Sequence, residues 1–287
     1  MIFLLLIQLR KLSILVLLIN LLTSCSSTRL VYTLAGEFIQ DEITYFFDLD
    51  EEEEVFLNQQ VKEMVNWHRK SMLPSYATYF NDMADKLSKN QYDDSDITKV
   101  LESGWSLIEK TVTGLTPRAS KFLVRHQSVE AIEYMERKMV TRQRERLEQL
   151  VELENKLYEK RLDQLISNFE KFLGTLTDAQ VMLLEEHTSM TLGDSRVRLR
   201  KRTQRQKVFL EFLRTQPIEA ELTTYLNKLL LSSHVINDPA YQAFMEASLN
   251  RFQALLVNML DISSREQRKL LISKFRTYAD DFEAVSK

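Results

Sequence analysis

Glycine and proline are the first shortages, five and four residues in a chain of 287, well under ordinary usage. Five scattered glycines cannot build a phosphate-cradling loop of the P-loop or dinucleotide-binding type, because each needs several glycines close together. The G-x-S-x-G elbow of serine hydrolases is missing as well. Cysteine occurs once, which excludes an internal disulfide and leaves burial alone to hold the fold. The four histidines, His68, His126, His187 and His234, are scattered without metal-ligand spacing. Alternating β-branched segments bounded by turns are absent, and no apolar run after residue 25 is long enough to cross a bilayer. The chain therefore reads as all-α, with no catalytic residues, no metal site and no cofactor.

What is there begins with the first 25 residues. Arg10 and Lys11 are their only charged side chains and precede an apolar stretch from Leu12 to Leu22, right for export but short for a spanning helix. Leu22-Thr23-Ser24-Cys25 looks like a bacterial lipobox, whose small residues fit the narrow cleft of the signal peptidase. The expectation is a lipoprotein signal peptide over 1–24, a lipidated Cys25 with a short tether over 25–31, and a helical domain over 32–287. That domain is either one unit or two subdomains meeting near 115 or 174. Acyl chains on Cys25 would anchor the protein, each buried methylene contributing about 0.8 kcal/mol. Ser26, where an aspartate would signal inner-membrane retention, favours the outer membrane facing the periplasm. Six residues of tether reach about 20 Å at most, which keeps the body beside its membrane. The segment after Cys25 carries 36 basic against 41 acidic side chains, so nothing in the global charge or the expected location favours nucleic acid as a partner.

Helical periodicity is plain. Leu147, Leu150, Leu157, Tyr158, Leu162, Leu165, Phe169 and Phe172 recur mostly at steps of three and four, which places them on one face. Pro117, Pro217 and Pro239 stand where helices begin, since proline at the first helical position loses no bond. The spacing predicts helices over 33–47, 51–72, 74–88, 95–111, 117–140, 143–173, 178–190, 194–214, 217–232, 239–260 and 264–284. Residues 117–173 read equally as one rod or as a hairpin broken near Thr141–Gln143. The expected architecture is an elongated bundle of repeated helical hairpins.

A short pattern recurs along the chain. It comprises Leu49-Asp50-Glu51-Glu52-Glu53, Leu115-Thr116-Pro117-Arg118-Ala119, Leu176-Thr177-Asp178-Ala179-Gln180 and Ile262-Ser263-Ser264-Arg265-Glu266. Each supplies an apolar staple, a capping side chain and usually Glu or Gln three residues later, the elements of a capping box. Ala119 cannot close its box, and Pro117 compensates there at the first helical position.

Leu-Thr-x-x-Gln at 176–180 resembles the motif of the periplasmic LTxxQ proteins, helical chaperones and envelope-stress adaptors. Trp67-His68-Arg69 followed by Leu73-Pro74-Ser75-Tyr76 resembles the signature of an uncharacterised bacterial lipoprotein family, which also shows a tyrosine soon after the lipidated cysteine, Tyr32 here. The resemblance implies an all-helical envelope lipoprotein and brings no established activity.

Two clusters are candidate interaction surfaces. Trp67, His68, Arg69 and Tyr76 form either a recognition surface or a structural unit, with Trp67 in the core and Arg69 paired to an acidic neighbour. The basic run containing Arg198, Arg200 and Arg202 either faces anionic lipid or is paired within the bundle, for instance with Asp48 and Glu51–Glu54. The functional expectation is a membrane-anchored, non-enzymatic protein that binds an envelope protein partner or client in a chaperone-like or stress-related role. Met135, Met139, Met182 and Met190 are candidate contacts for it. The alternative is a structural or assembly lipoprotein that contacts anionic lipid or lipopolysaccharide through the basic helix.

Overall fold

The computed structural model describes residues 27–151, 154–231 and 238–287. Cys25, the expected signal segment 1–24 and His234 lie outside the described residues. The described chain is helical throughout, with no strand. In order the helices are α1 (Ser27–Thr44), α2 (Glu51–Ser71), α3 (Leu73–Ser88), α4 (Asp94–Leu123), α5 (Val129–Gln149) and α6 (Glu154–Leu173). They continue with α7 (Asp178–Thr191), α8 (Asp194–Leu213), α9 (Glu219–Leu231), α10 (Pro239–Asp261) and α11 (Arg265–Ser286).

Helix α4 organises the rest. Its 30 residues make it about 45 Å long, and it reaches all three apolar clusters. Near its start Ile97 joins Leu173, Leu184, Met259 and Leu271. Near its end Phe122 packs with Leu57 and Val61 of α2, while Ala119 and Leu123 border Ile132, Met135, Leu213 and Leu222. Leu184, Leu213 and Leu222 are wholly buried, each such side chain contributing about 1.5–3 kcal/mol.

The sequence reading breaks this helix at 112–116 and starts a new one at Pro117; the structure runs straight through. Pro117 lies inside α4, where a missing N–H ordinarily orphans a carbonyl one turn back. The Thr116 hydroxyl lies 3.3 Å from that Thr113 carbonyl and 2.8 Å from Asn227 Oδ1 of α9, so a tertiary partner holds this part of the helix. Leu115 and Thr116 are therefore not a helix start. The break comes instead at 124–128, where Ser128 accepts from the Ala131 N–H and caps α5. With that break, and with α5 continuing through Thr141–Gln143 to Gln149, 117–173 is neither one rod nor a hairpin turning at Thr141–Gln143.

Asp50 and Glu53 close a capping box on α2, beside Leu49. Thr177 and Gln180 do the same on α7, beside Leu176. At α11 the register differs by one: Ser264 and Gln267 close the box, not Ser263 and Glu266, and Ile262 ends α10. Ser263 instead bonds back to the Met259 carbonyl. The reason is tertiary. The amides of Gln180 and Gln267 bond each other in both directions, at 3.1 and 2.9 Å, in a buried site. The Gln267 amide also donates to the Thr175 carbonyl at 3.0 Å. A glutamine serves both the cap and the pair, because it donates and accepts at once.

The last helix closes the bundle. α11 lies along α3 and also meets α1 and α6. Phe80 of α3 sits among Phe275, Tyr278 and Phe282, and Arg276 bonds both Asn81 and Asp85.

Candidate functional site

Three residues behind the lipoprotein resemblance meet. Tyr32 of α1, His68 of α2 and Tyr76 of α3 form a hydrogen-bonded chain: the Tyr32 hydroxyl is 3.0 Å from His68 Nδ1, and His68 Nε2 is 3.2 Å from the Tyr76 hydroxyl. Tyr32 also donates to the Val65 carbonyl at 3.0 Å, and Tyr76 lies 2.7 Å from Thr111 Oγ1. With the Tyr32 proton on Val65, the Tyr32 oxygen can only accept from His68, which puts the proton of a neutral ring on Nδ1. Burial holds His68 below the usual imidazole range. Burial also pushes the Tyr32 phenol up to about 12, with Arg69 partly offsetting it. This chain of side chains ties α1, α2 and α3 together.

The neighbours of His68 turn elsewhere. Trp67 packs on Gly114 of α4, under the Arg118 guanidinium at 6.0 Å. Arg69 reaches Asn66 at 3.4 Å rather than an acidic side chain, and its Nε is buried without a partner. Trp67, His68, Arg69 and Tyr76 are all half-buried, with His68 and Tyr76 in contact and Trp67 turned to α4.

The basic run is divided as well. Lys201, at its centre, is 3% exposed and pairs with Asp238 at 3.2 Å. Arg198 donates to Ser248 of α10 at 2.7 Å, and Arg196 to the Leu150 carbonyl. Arg200 and Arg202 face solvent. The counter-charges are Asp194, Asp238 and Glu211, not the expected Asp48 and Glu51–Glu54. Met135 is buried and Met139 half-buried on α5, while Met182 and Met190 are exposed on α7.

Two neighbouring cavities share part of their wall. A partly open chamber of about 390 Å³ lies among α3, α4, α6, α10 and α11, with Leu87, Ile97, Phe169, Leu173, Met259 and Phe275 in its wall. Beside it a cleft of about 760 Å³ holds Lys160, Arg161, His187, Asp194, Arg198 and Ser248. Leu165, Asn168 and Phe252 line both. In the cleft Asp194 binds Arg251 at 3.2 Å and lies 3.9 Å from Arg198. Burial lowers Arg161, with Asp194 opposing that shift and Arg198 adding to it. Burial, then Arg161 and Arg251, lower His187, with Asp194 opposing.

Sequence reasoning placed Leu165, Phe169 and Phe172 on an apolar face but did not single out Arg161, His187, Asp194 or Arg251. The one local sign is Asn168, a polar residue inside that apolar stripe. Among the described residues no group of three or more metal-ligating side chains assembles, and no helix is long and apolar enough to cross a membrane.

No curated protein and no solved structure matches the chain. A family model does match, over residues 45–241, and on that span of more than half its length the chain belongs to DUF6279, a family of unknown function.

Proposed function

We propose that the chain is a non-enzymatic lipoprotein of the cell envelope that holds an apolar ligand in the chamber while anchored through Cys25. The chamber carries this reading. Ordinary cores contain few voids larger than a water molecule, whereas a volume of about 390 Å³ falls in the range of small-molecule sites. Its wall is aliphatic and aromatic, with only Lys86, Gln91, Tyr92 and Asn168 bringing polar groups. Helix α1 begins at Ser27, two residues after Cys25, and shows Leu34 and Phe38 one turn apart, 47% and 71% exposed. An apolar pair beside an acyl anchor suits a helix resting on the bilayer, and brings the chamber within reach of lipid.

The test is photolabelling. Membranes from cells producing the full chain receive a neutral, photo-activatable alkyl probe, and the labelled positions are mapped by mass spectrometry. Label on Phe169, Met259 or Phe275, reduced by the filling substitution Leu173→Trp, supports the chamber. Label confined to Leu34 and Phe38 leaves a membrane contact and removes the ligand.

A chaperone-like role towards envelope proteins draws support from exposed Met182 and Met190, since methionine adapts to varied partners. Envelope proteins that co-purify with the chain and are lost with Met182→Ser and Met190→Ser would favour it. Contact with anionic lipid through the basic helix rests on Arg200 and Arg202.

A further inference from the structure

We propose that the chamber and the adjoining cleft form a single site for an anionic single-chain amphiphile, with the acyl chain in the chamber and the acidic head group on Arg161 and Arg198 beside His187. The inference rests on the chamber reading and extends it to the ligand's head.

Adjacency is the first argument. Leu165, Asn168 and Phe252 line both cavities, so an occupant of one touches the walls of the other. The polarity changes across that shared wall, from aliphatic and aromatic side chains to cations, as an amphiphile requires. Phe252, Leu249 and Met245 of α10 line the cleft with their side chains 39–52% exposed, an apolar path for a chain entering past the cations.

Charge is the second. Lys160, Arg161 and Arg198 line the cleft against one carboxylate, Asp194. That carboxylate is already engaged by Arg251 and Arg198. Among the described residues no carboxylate lies within ion-pair distance of Arg161 or Lys160, so the cleft holds excess positive charge. Guanidinium groups match carboxylate and phosphate oxygens in geometry as well as charge.

The third is an unmet hydrogen bond. His187 is 8% exposed and lines the cleft, yet its Nδ1 is buried without a partner. Buried polar atoms are normally satisfied. A bound head-group oxygen accepting from Nδ1–H would complete it.

The experiment uses membranes bearing the full chain and three photo-activatable probes of one chain length: a fatty acid, the corresponding primary alcohol and a lysophosphatidic acid. The expected result is at least tenfold stronger chamber labelling by an anionic probe than by the alcohol. Arg161→Gln with Arg198→Gln should remove that preference and leave alcohol labelling unchanged, which also shows the fold intact. Comparison of the two anionic probes tells a carboxylate head from a phosphate. If acid and alcohol label the chamber equally, the head-group site is overturned while the chamber stands. If no probe labels the chamber, both readings fail. Should the double variant lose all labelling, competition on the unaltered protein decides: unlabelled fatty acid must displace the probe at least tenfold better than unlabelled alcohol, and equal displacement overturns the proposal.

Discussion

Gly114 of α4 lies so close beneath Trp67 of α2 that a β-carbon there would fall 1.9 Å from the indole ring. The two helices meet at this point, one supplying the largest side chain and the other none.

Gly114→Ala is therefore expected to destabilise the protein, although alanine is the better helix former. The helix gain is about 1 kcal/mol, and forcing extra volume into a packed contact costs about 1–3 kcal/mol. With the added β-carbon only 1.9 Å from the ring the second effect wins. Chemical denaturation should show a lower midpoint, partly recovered by adding Trp67→Phe. A raised midpoint would mean that the indole does not sit there.

Pro117→Ala has the opposite expected sign. In a helix interior proline costs about 3 kcal/mol, and the long contact from Thr116 to the Thr113 carbonyl offsets only part. Alanine restores the backbone bond to Thr113 and should stabilise by about 1–3 kcal/mol. A neutral or destabilising result would instead place Pro117 at the first position of a separate helix.

Gln180→Glu tests the reciprocal amide pair. A carboxylate cannot donate to Gln267 and brings a charge into a buried site, while an unsatisfied buried partner alone costs about 1–3 kcal/mol. A loss of about 2–4 kcal/mol near neutral pH is expected, smaller in acid where the carboxyl protonates. A double-mutant cycle with Gln267→Ala should give a coupling of about 1–3 kcal/mol. Additive losses would show the two capping boxes to be independent.

Acid should destabilise the fold in a defined window. His68 and His187 are both held below the ordinary imidazole value, near 6.5, so below that pH the unfolded chain binds protons that the folded chain refuses. Their contribution is complete above about pH 6.5 and declines as pH falls towards the lowered folded values. Urea midpoints at pH 7.5 and 5.5 should therefore separate for the native chain, and less so for His68→Gln and His187→Gln. Equal separation in all three would remove these histidines as the cause.

Local chemistry was readable where it decides structure by itself. Asp50 with Glu53 and Thr177 with Gln180 close their caps using residues three apart, and the helical class follows from periodicity. The failures came where distant residues decide. Pro117 carries the same local signs whether it opens a helix or sits inside one; Trp67, 50 positions earlier, and its fit on Gly114 are not local. Ser263 and Ser264 are equivalent as caps until Gln180, 87 residues away, selects Gln267. Composition marks 196–207 as basic but cannot say that Lys201 turns inward to Asp238. The stripe through Leu165 and Phe169 is legible as a face, whereas the space it leaves unfilled belongs to α10 and α11 as much as to α6.

The pairing of α11 with α3 also sets the order in which the molecule can be completed. Arg276 and Asp85 are 191 positions apart, so Phe80 and its neighbours wait uncovered until nearly the whole polypeptide is available. Contacts of such long sequence separation slow folding and leave apolar surface open in the meantime. A nascent chain of this kind stays incompletely folded until α11 emerges, and loss of α11 would expose the aromatic face of α3.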